Sequence, residues 1–305
     1  MEQFKDCQAI VPFLRQPGVS IEKKLAEFQE QARSYPSGYR ELNAVRYYLR
    51  FALWNCQELW RSRHRGITNF VTFLREIERW RVEKKEQACL VTFNYDTILE
   101  EAMSQVLRLA VRDMDSYITW KDYSLFKLHG SVNWGLEVDG VTHPGNAVPY
   151  PYQELIDAVP DRCHVTKRYR LCVKAMWPTD DRVVLFPALS IPVENKDEFS
   201  CPSAHVAALG RLLPIATMVI TVGWRATEVD FLEMLRASRS APVSGIRPTL
   251  KILAVSGSKD GCEETLRNLA PYRGGYDPYL SLDKMVATGF TGLINDIGVL
   301  SAFLR

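Results

Sequence analysis

Two short polar clusters carry the residue types that chemistry needs. Asn94, Tyr95 and Asp96 close the stretch Val91-Thr92-Phe93-Asn94-Tyr95-Asp96, and His129, Gly130 and Ser131 close Lys127-Leu128-His129-Gly130-Ser131. An imidazole titrates near neutral pH and suits a general base, and a neighbouring Gly lets another group approach closely. An amide such as Asn94 can orient a hydroxyl or a water, and a helix N-terminus beyond Asp96 would favour negative charge. Each cluster alone has a plainer reading. Asp96 can be a helix cap, Asn94 a turn residue, and His129 a buried ring held by one backbone carbonyl. Their pairing adds weight, because each stands where an apolar run stops. In an open α/β sheet that is the carboxyl end of a strand, where ligands bind.

Two further clusters have the same placement and a weaker signal. Gly223-Trp224-Arg225-Ala226-Thr227-Glu228-Val229-Asp230 follows an apolar run, as does Ser256-Gly257-Ser258 after Val255. A Gly between strand and helix can cradle a phosphate or ribose, although an ordinary strand-to-helix turn needs the same residue. The other histidines (His64, His143, His164 and His205) have no matching partner, and no metal-ligand spacing is present, so no metal is expected. Arg61, Arg63, Arg65, Arg75, Arg79 and Arg81 are interleaved with Glu76, Glu78, Glu83 and Glu86. That alternation reads as a solvated, salt-bridged helix face and argues against direct nucleic-acid binding.

The elements that must hold these clusters follow from periodicity. Leu42, Val45, Leu49, Ala52, Leu53, Cys56, Leu59 and Trp60 repeat with a helical period, as do Ile67, Phe70, Val71, Leu74, Ile77 and Trp80. An earlier helix is expected over 21–33, with Ser20 as its N-cap. Strands are expected at 88–93, 124–128, 183–186, 217–223 and 250–255. Helices are expected at about 203–213, 229–239 and 263–269. Strands alternating with helices imply an α/β protein with a parallel sheet and right-handed crossovers. Prolines 144, 149 and 151 interrupt 135–182, which reads as an inserted segment or small subdomain. The expected organisation is an N-terminal helical region over 1–86 and an α/β core over 87–305 containing that insertion.

The 305 residues suffice to bury roughly three quarters of the unfolded surface. A net charge of +2 points to no polyelectrolyte partner. The seven cysteines form no C-x-x-C pair, so a disulfide framework and a zinc ribbon are both disfavoured. Cys56, Cys89 and Cys172 are expected as reduced, buried thiols in a cytoplasmic protein. No uncharged run reaches the roughly 20 residues of a membrane span, and the first residues lack the order of a signal peptide.

Taken together, the motifs resemble the sirtuin-like family, in particular the bacterial sirtuin-like domains of antiphage defence proteins. The order is an Asn-x-Asp loop (Asn94, Asp96), Lys-Leu-His-Gly-Ser (Lys127 to Ser131), a segment from Phe186-Pro187 to Lys196, a helix, and a strand ending in Gly223-Trp224 with Asp230 beyond. The similarity spans about 87–300. It implies a Rossmann-like parallel sheet with helices on both faces. It also implies that NAD is the substrate and is cleaved to nicotinamide and ADP-ribose or a cyclised product, without a metal. By position, Asn94 matches the residue that orients the ribose or attacking water, Asp96 the acidic member of that loop, and His129 the general base. Thr92, Tyr95, Gly130, Ser131, Gly223, Trp224, Arg225 and Ser256 match positions that line the dinucleotide. Members of the family often assemble, so a homo-oligomer or a defence partner is implied, with NAD or ADP-ribose as ligand and no membrane.

The chain departs from the family in two ways. It lacks the four-cysteine zinc module of the protein deacylases, which makes deacylation the poorer reading. It also lacks the family's opening Gly-Ala-Gly-x-Ser loop, for which Ala9 to Ser20 retains only Gly18. The second reading is therefore a catalytically weak nucleotide-binding or scaffold subunit, and a nucleic-acid module ranks last.

Overall fold

The computed structural model describes residues 5–8, 12, 23, 25–27, 29–30, 36–64, 67–140, 156, 164–174, 177–178, 183–191, 199–240, 249–270 and 280–305. Within them the protein is a mixed α/β structure containing two parallel sheets and one antiparallel sheet.

Two helices open the well-defined part, α1 (Pro36–His64) and α2 (Asn69–Lys84). Both follow the apolar period in the sequence. The described residues of the expected earlier helix (23, 25–27, 29–30) are also helical. Val71, Phe73, Leu74 and Ile77 bury one face of α2 in the main core. Lys85 ends that helix in the left-handed conformation. Strand β1 (Ala88–Thr92) follows, then α3 (Ile98–Leu107), the single turn α4 (Ser116–Thr119) and β2 (Tyr123–Lys127). Strands β1 and β2 pair in parallel, with Thr92 opposite Lys127. The N-cap of α3 is Thr97, which makes no side-chain cap bond; Asp96, one residue earlier, accepts the Ile98 N–H on Oδ1 at 3.0 Å and so closes the turn before the helix.

From Gly130 the topology departs from the sequence reading. Strand β3 (Gly130–Asp139) pairs antiparallel with β4 (His164–Lys174) and with β6 (Leu185–Leu189), and β4 pairs with the short β5 (Trp177–Pro178). Within the segment 135–182 expected to be irregular, 135–139, 164–174 and 177–178 are strand, and the stretch with prolines 144, 149 and 151 lies outside the described residues. The strand expected at 183–186 belongs to the antiparallel sheet and not to a parallel one. Register shifts between Gly130 and Gly135 and between Leu136 and Val138 explain why no clean alternation was visible. Helix α1 covers this sheet. Tyr47 donates to the Leu185 carbonyl at 3.3 Å and Arg50 to the Val132 carbonyl at 2.9 Å.

The third sheet follows α5 (Ser203–Leu212). Strand β7 (Met218–Val222), helix α6 (Val229–Ser240), β8 (Leu250–Val255), α7 (Lys259–Leu269) and β9 (Leu280–Val286) give the parallel order β7-β8-β9. Helices α8 (Gly289–Asn295) and α9 (Ile297–Phe303) close the described chain. They pack back on α2, where Phe290 meets Phe70 and Phe73 with ring centroids 5.2 and 5.6 Å apart.

Burial is uneven across the parallel strands. Strands β2 and β8 are almost wholly buried, as a parallel strand covered on both faces should be. Strands β1 and β7 are mostly half-buried. Neither pairs with a second described strand. Cys56 and Cys89, expected as buried thiols, are exposed, whereas Cys172 is buried as expected. Cys56 lies on the outer side of α1. Cys89 lies on β1, and desolvation pushes its thiol up to about 12.

Gly130 is where β2 hands over to β3. Its φ is +82°, and a side chain there would run into the Ala188 carbonyl. Gly130→Ala should destabilise the protein by about 3 kcal/mol through strain and overpacking. Urea unfolding monitored by circular dichroism will measure it, and a loss below about 1 kcal/mol would contradict this account.

Candidate functional site

The parallel register brings the two clusters to one end of the sheet. The Leu128 N–H donates to the Thr92 carbonyl at 3.2 Å, so the Asn94 loop and the His129 turn leave their strands side by side. The loop is then tied across. Tyr95 O accepts the Val132 N–H at 2.9 Å and the Ser131 hydroxyl at 3.1 Å. Asn94 N–H donates to Thr92 Oγ1 at 3.1 Å. Thr97 N–H donates to Gln57 Oε1 of α1 at 2.7 Å.

His129 is 5% exposed. Its ring centroid lies 5.0 Å from that of Phe93 and 6.3 Å from that of Tyr95. These two residues flank Asn94, which is itself exposed. The imidazole thus lies against both neighbours of the amide, whose loop faces solvent. On its far side the turn is also fixed, because the His129 carbonyl accepts the Ser190 N–H at 2.9 Å.

Phe93 joins this cluster to the third sheet. Its ring stacks on Trp224 with centroids 5.5 Å apart and meets Phe231 edge-on at 5.6 Å. The Trp224 indole N–H donates to Glu228, and its carbonyl accepts the Thr265 hydroxyl. The Arg225 carbonyl accepts from Asn268 at 2.8 Å, while the residue itself is exposed. Ala226 is buried and adopts the left-handed region with φ +56°. The tie of this loop to α7 is what holds that strained turn. Gly223 has φ +62° and open space around it.

Of the residues singled out in the sequence, Thr92, Asn94, Tyr95, Asp96, His129, Gly130 and Ser131 therefore form one connected cluster. Trp224 joins it through Phe93, with Gly223 and Arg225 on the same loop. Ser256 follows Val255, whose carbonyl accepts the Gly223 N–H at 2.9 Å. The Ser256 N–H donates to the Val286 carbonyl at 3.0 Å, its carbonyl accepts from Gly289, and its hydroxyl lies against Gly261 at the start of α7.

Several participants were not singled out. Phe93 looked like the last apolar residue of a strand. Arg61 was read as part of a solvated face. Its guanidinium instead donates to Thr97 Oγ1 at 2.9 Å and pairs with Glu101, so α1 grips the start of α3. Other arginines of that stretch do pair locally, Arg79 with Glu76 and Arg81 with Glu78. Beneath the loop lies a buried polar chain. Lys127 pairs with Glu100 at 3.0 Å, Glu100 accepts from Tyr117 at 3.2 Å, and Tyr117 accepts from the Trp134 indole at 3.1 Å. Burial, with the Glu100 charge adding to it, pushes the Tyr117 phenol well up.

No protein-family model matches the chain, and no curated protein matches it. Among the described residues no group of three or more His, Cys, Asp or Glu side chains gathers as a metal site would need. No described helix is long and apolar enough to cross a membrane.

His205 packs against Tyr117 and Trp134 at the far end of the polar chain, with ring centroids 5.8 Å from each. Its Nε2 lies 2.8 Å from the Met114 carbonyl and so carries the proton. Burial depresses its pKa below the usual 6.5, against the opposing effects of that carbonyl and Asp115. The unfolded chain takes up a proton as pH falls through about 6.5, while the native state resists until its lower value is reached. Stability is thus full above that range and falls on acidification, by up to about 1.4 kcal/mol per pH unit. Chemical unfolding between pH 7.5 and 5 should show a shallower slope for His205→Gln than for the wild type. Equal slopes would exclude His205 as the source.

Proposed function

We propose that the protein hydrolyses the nicotinamide–ribose bond of NAD, giving nicotinamide and ADP-ribose, with Asn94 and His129 at the reacting centre. The observation that carries this reading is the contact of His129 with both Phe93 and Tyr95, the neighbours of Asn94. A base and an amide then share one loop-lined site at the carboxyl ends of parallel strands.

The chemistry suits so small a set of groups. Nicotinamide in NAD is a cationic pyridinium. When the C1′–N bond breaks, the electron pair returns to the ring and neutral nicotinamide departs, so no strong acid is needed. The ribose passes through an oxocarbenium-like transition state, which calls for positioning and a placed nucleophile. The Asn94 amide orients a ribose hydroxyl or the water. His129 takes the proton as the water oxygen bonds to C1′. Asp96 steadies the loop by accepting the Ile98 N–H. Gly223, Trp224 and Arg225 offer a second wall toward the adenosine and phosphates, with Ser256 at the neighbouring strand end.

The same reading treats β2-β1 and β7-β8-β9 as two parts of one Rossmann-like sheet. Support comes from the stacking of Phe93 on Trp224 at their carboxyl ends. The setting in cytoplasmic antiphage defence, and assembly as a homo-oligomer or with a defence partner, rest on the family resemblance.

A scaffold or weakly binding subunit is the second reading, and one observation favours it. Strands β1 and β7 are half-buried edges, and no Gly-rich strand-to-helix loop stands between them among the described residues. The N–H groups of such a loop would normally cradle the pyrophosphate.

Incubation with NAD, with free nicotinamide quantified by chromatography, separates the readings. The wild type should release nicotinamide, and Asn94→Ala and His129→Ala should each reduce the rate by about 100-fold or more. Unchanged rates in both variants would reject the site. Calorimetric binding of ADP-ribose without turnover would favour the scaffold.

A further inference from the structure

Lys127 is a lysine in an improbable place. Its side chain has no exposed surface. It projects from the last position of β2, two residues before His129. The turn that leaves this strand carries His129, so the lysine closes the strand just before the imidazole. Its ammonium makes two contacts, an ion pair with Glu100 Oε1 at 3.0 Å and a hydrogen bond to the Asp96 carbonyl. The first joins it to α3. The second joins it to the loop that carries Asn94.

We infer that Lys127 is a positioning residue, the post that holds the Asn94–Asp96 loop in register with His129. The inference deepens the proposed function, and its loop-order part stands whether or not NAD is the substrate. Desolvating an ammonium and a carboxylate is expensive, and an apolar pair of similar volume is often no worse for stability. The ion pair alone therefore gives little reason for a lysine here. The Asp96 carbonyl does, because an apolar side chain cannot reach out and hold a backbone oxygen. The remaining ties to the loop confirm how the load is shared. Val132 N–H and Ser131 Oγ hold Tyr95 O, while Gln57 holds Thr97 N–H. Lys127 supplies the contact between these two, and it ends the strand from which the His129 turn departs. Any shift of the loop against β2 stretches that bond first.

The competing role is charge balance, in which Lys127 only neutralises Glu100. Lys127→Met alone does not separate the two, because it strands a buried carboxylate and can unfold the protein. Lys127→Met with Glu100→Gln removes both charges and leaves an amide that Tyr117 can still reach. Three readouts apply to this double variant: thermal stability, hydrogen exchange at the amides of residues 94–97, and steady-state release of nicotinamide from NAD. Positioning predicts a melting temperature close to that of the wild type and exchange at 94–97 faster by about tenfold or more. It also predicts kcat lower by about tenfold or more with KM within twofold. Wild-type exchange and kcat in the stable double variant would overturn the inference and leave charge balance. A double variant that remains unstable is resolved by Lys127→Arg, which keeps the charge beside Glu100 but substitutes a longer, planar fork that does not fit the ammonium's place between Glu100 and the Asp96 carbonyl. Faster exchange at 94–97 in that variant supports positioning, and unchanged exchange refutes it. If the wild type releases no nicotinamide while the exchange result holds, the proposed reaction fails and the positioning role survives.

Discussion

The parallel register of β1 against β2 is the constraint on which the site rests. Thr92 stands opposite Lys127, and the Leu128 N–H closes the ladder on the Thr92 carbonyl. Parallel strands end at the same edge, so the residues that follow them, Phe93 to Asp96 and Leu128 to Ser131, leave as neighbours. A slip of one residue would turn His129 to the opposite face and withdraw Lys127 from both Glu100 and the Asp96 carbonyl. Gly130 then sets where β3 can go. With φ +82° against the Ala188 backbone, it turns the chain out of the parallel pair into the antiparallel sheet without moving the imidazole.

Much of this was legible in the sequence, for identifiable reasons. Helices α1 and α2 and strands β1, β2, β7 and β8 are written in local periodicity, and each ends on a polar cluster. Strands β3, β4 and β6 were harder to read. Bulges break their alternation, and Trp134 and Val138 share strand β3 with charged Glu137 and Asp139. The interactions beneath the site had no local signal at all. Arg61 meets Glu101 forty positions on, and Lys127 meets Glu100, which its own helix would present as an ordinary first-turn acid. Phe93 was hidden by its hydrophobicity, because a ring that ends a strand looks the same whether it fills a core or joins two sheets.

The half-burial of β1 and β7 bears on the same question. The described residues show two parallel pieces joined by side chains, Phe93 to Trp224 and Phe231, and not by a ladder of backbone hydrogen bonds. Aromatic stacking of this kind adds of order 1 kcal/mol per pair beyond the area it buries. That suffices to align two preformed pieces. It is a weak substitute for several backbone hydrogen bonds between rigid strands. The two pieces also share one buried core, in which Leu125, Phe126 and Leu128 join Phe231, Ile252 and Leu253.

His129 is buried beside Phe93 and Tyr95, a setting in which creating a new charge is costly. The proposed reaction avoids that cost. NAD carries a positive pyridinium into the site. On cleavage the charge passes to the ribose ring, and on attack by water it passes to His129 as a proton. The site holds one positive charge before, during and after the chemical step. It is asked to move that charge over a short distance and not to create it. Fixed dipoles beside that path, such as the Asn94 amide, need little reorganisation to follow the charge. A substrate that arrived neutral would have to generate a new charge beside Phe93 and Tyr95. On the proposed reaction, the aromatic setting of this imidazole would favour a cationic leaving group, the feature that distinguishes NAD from its reduced form.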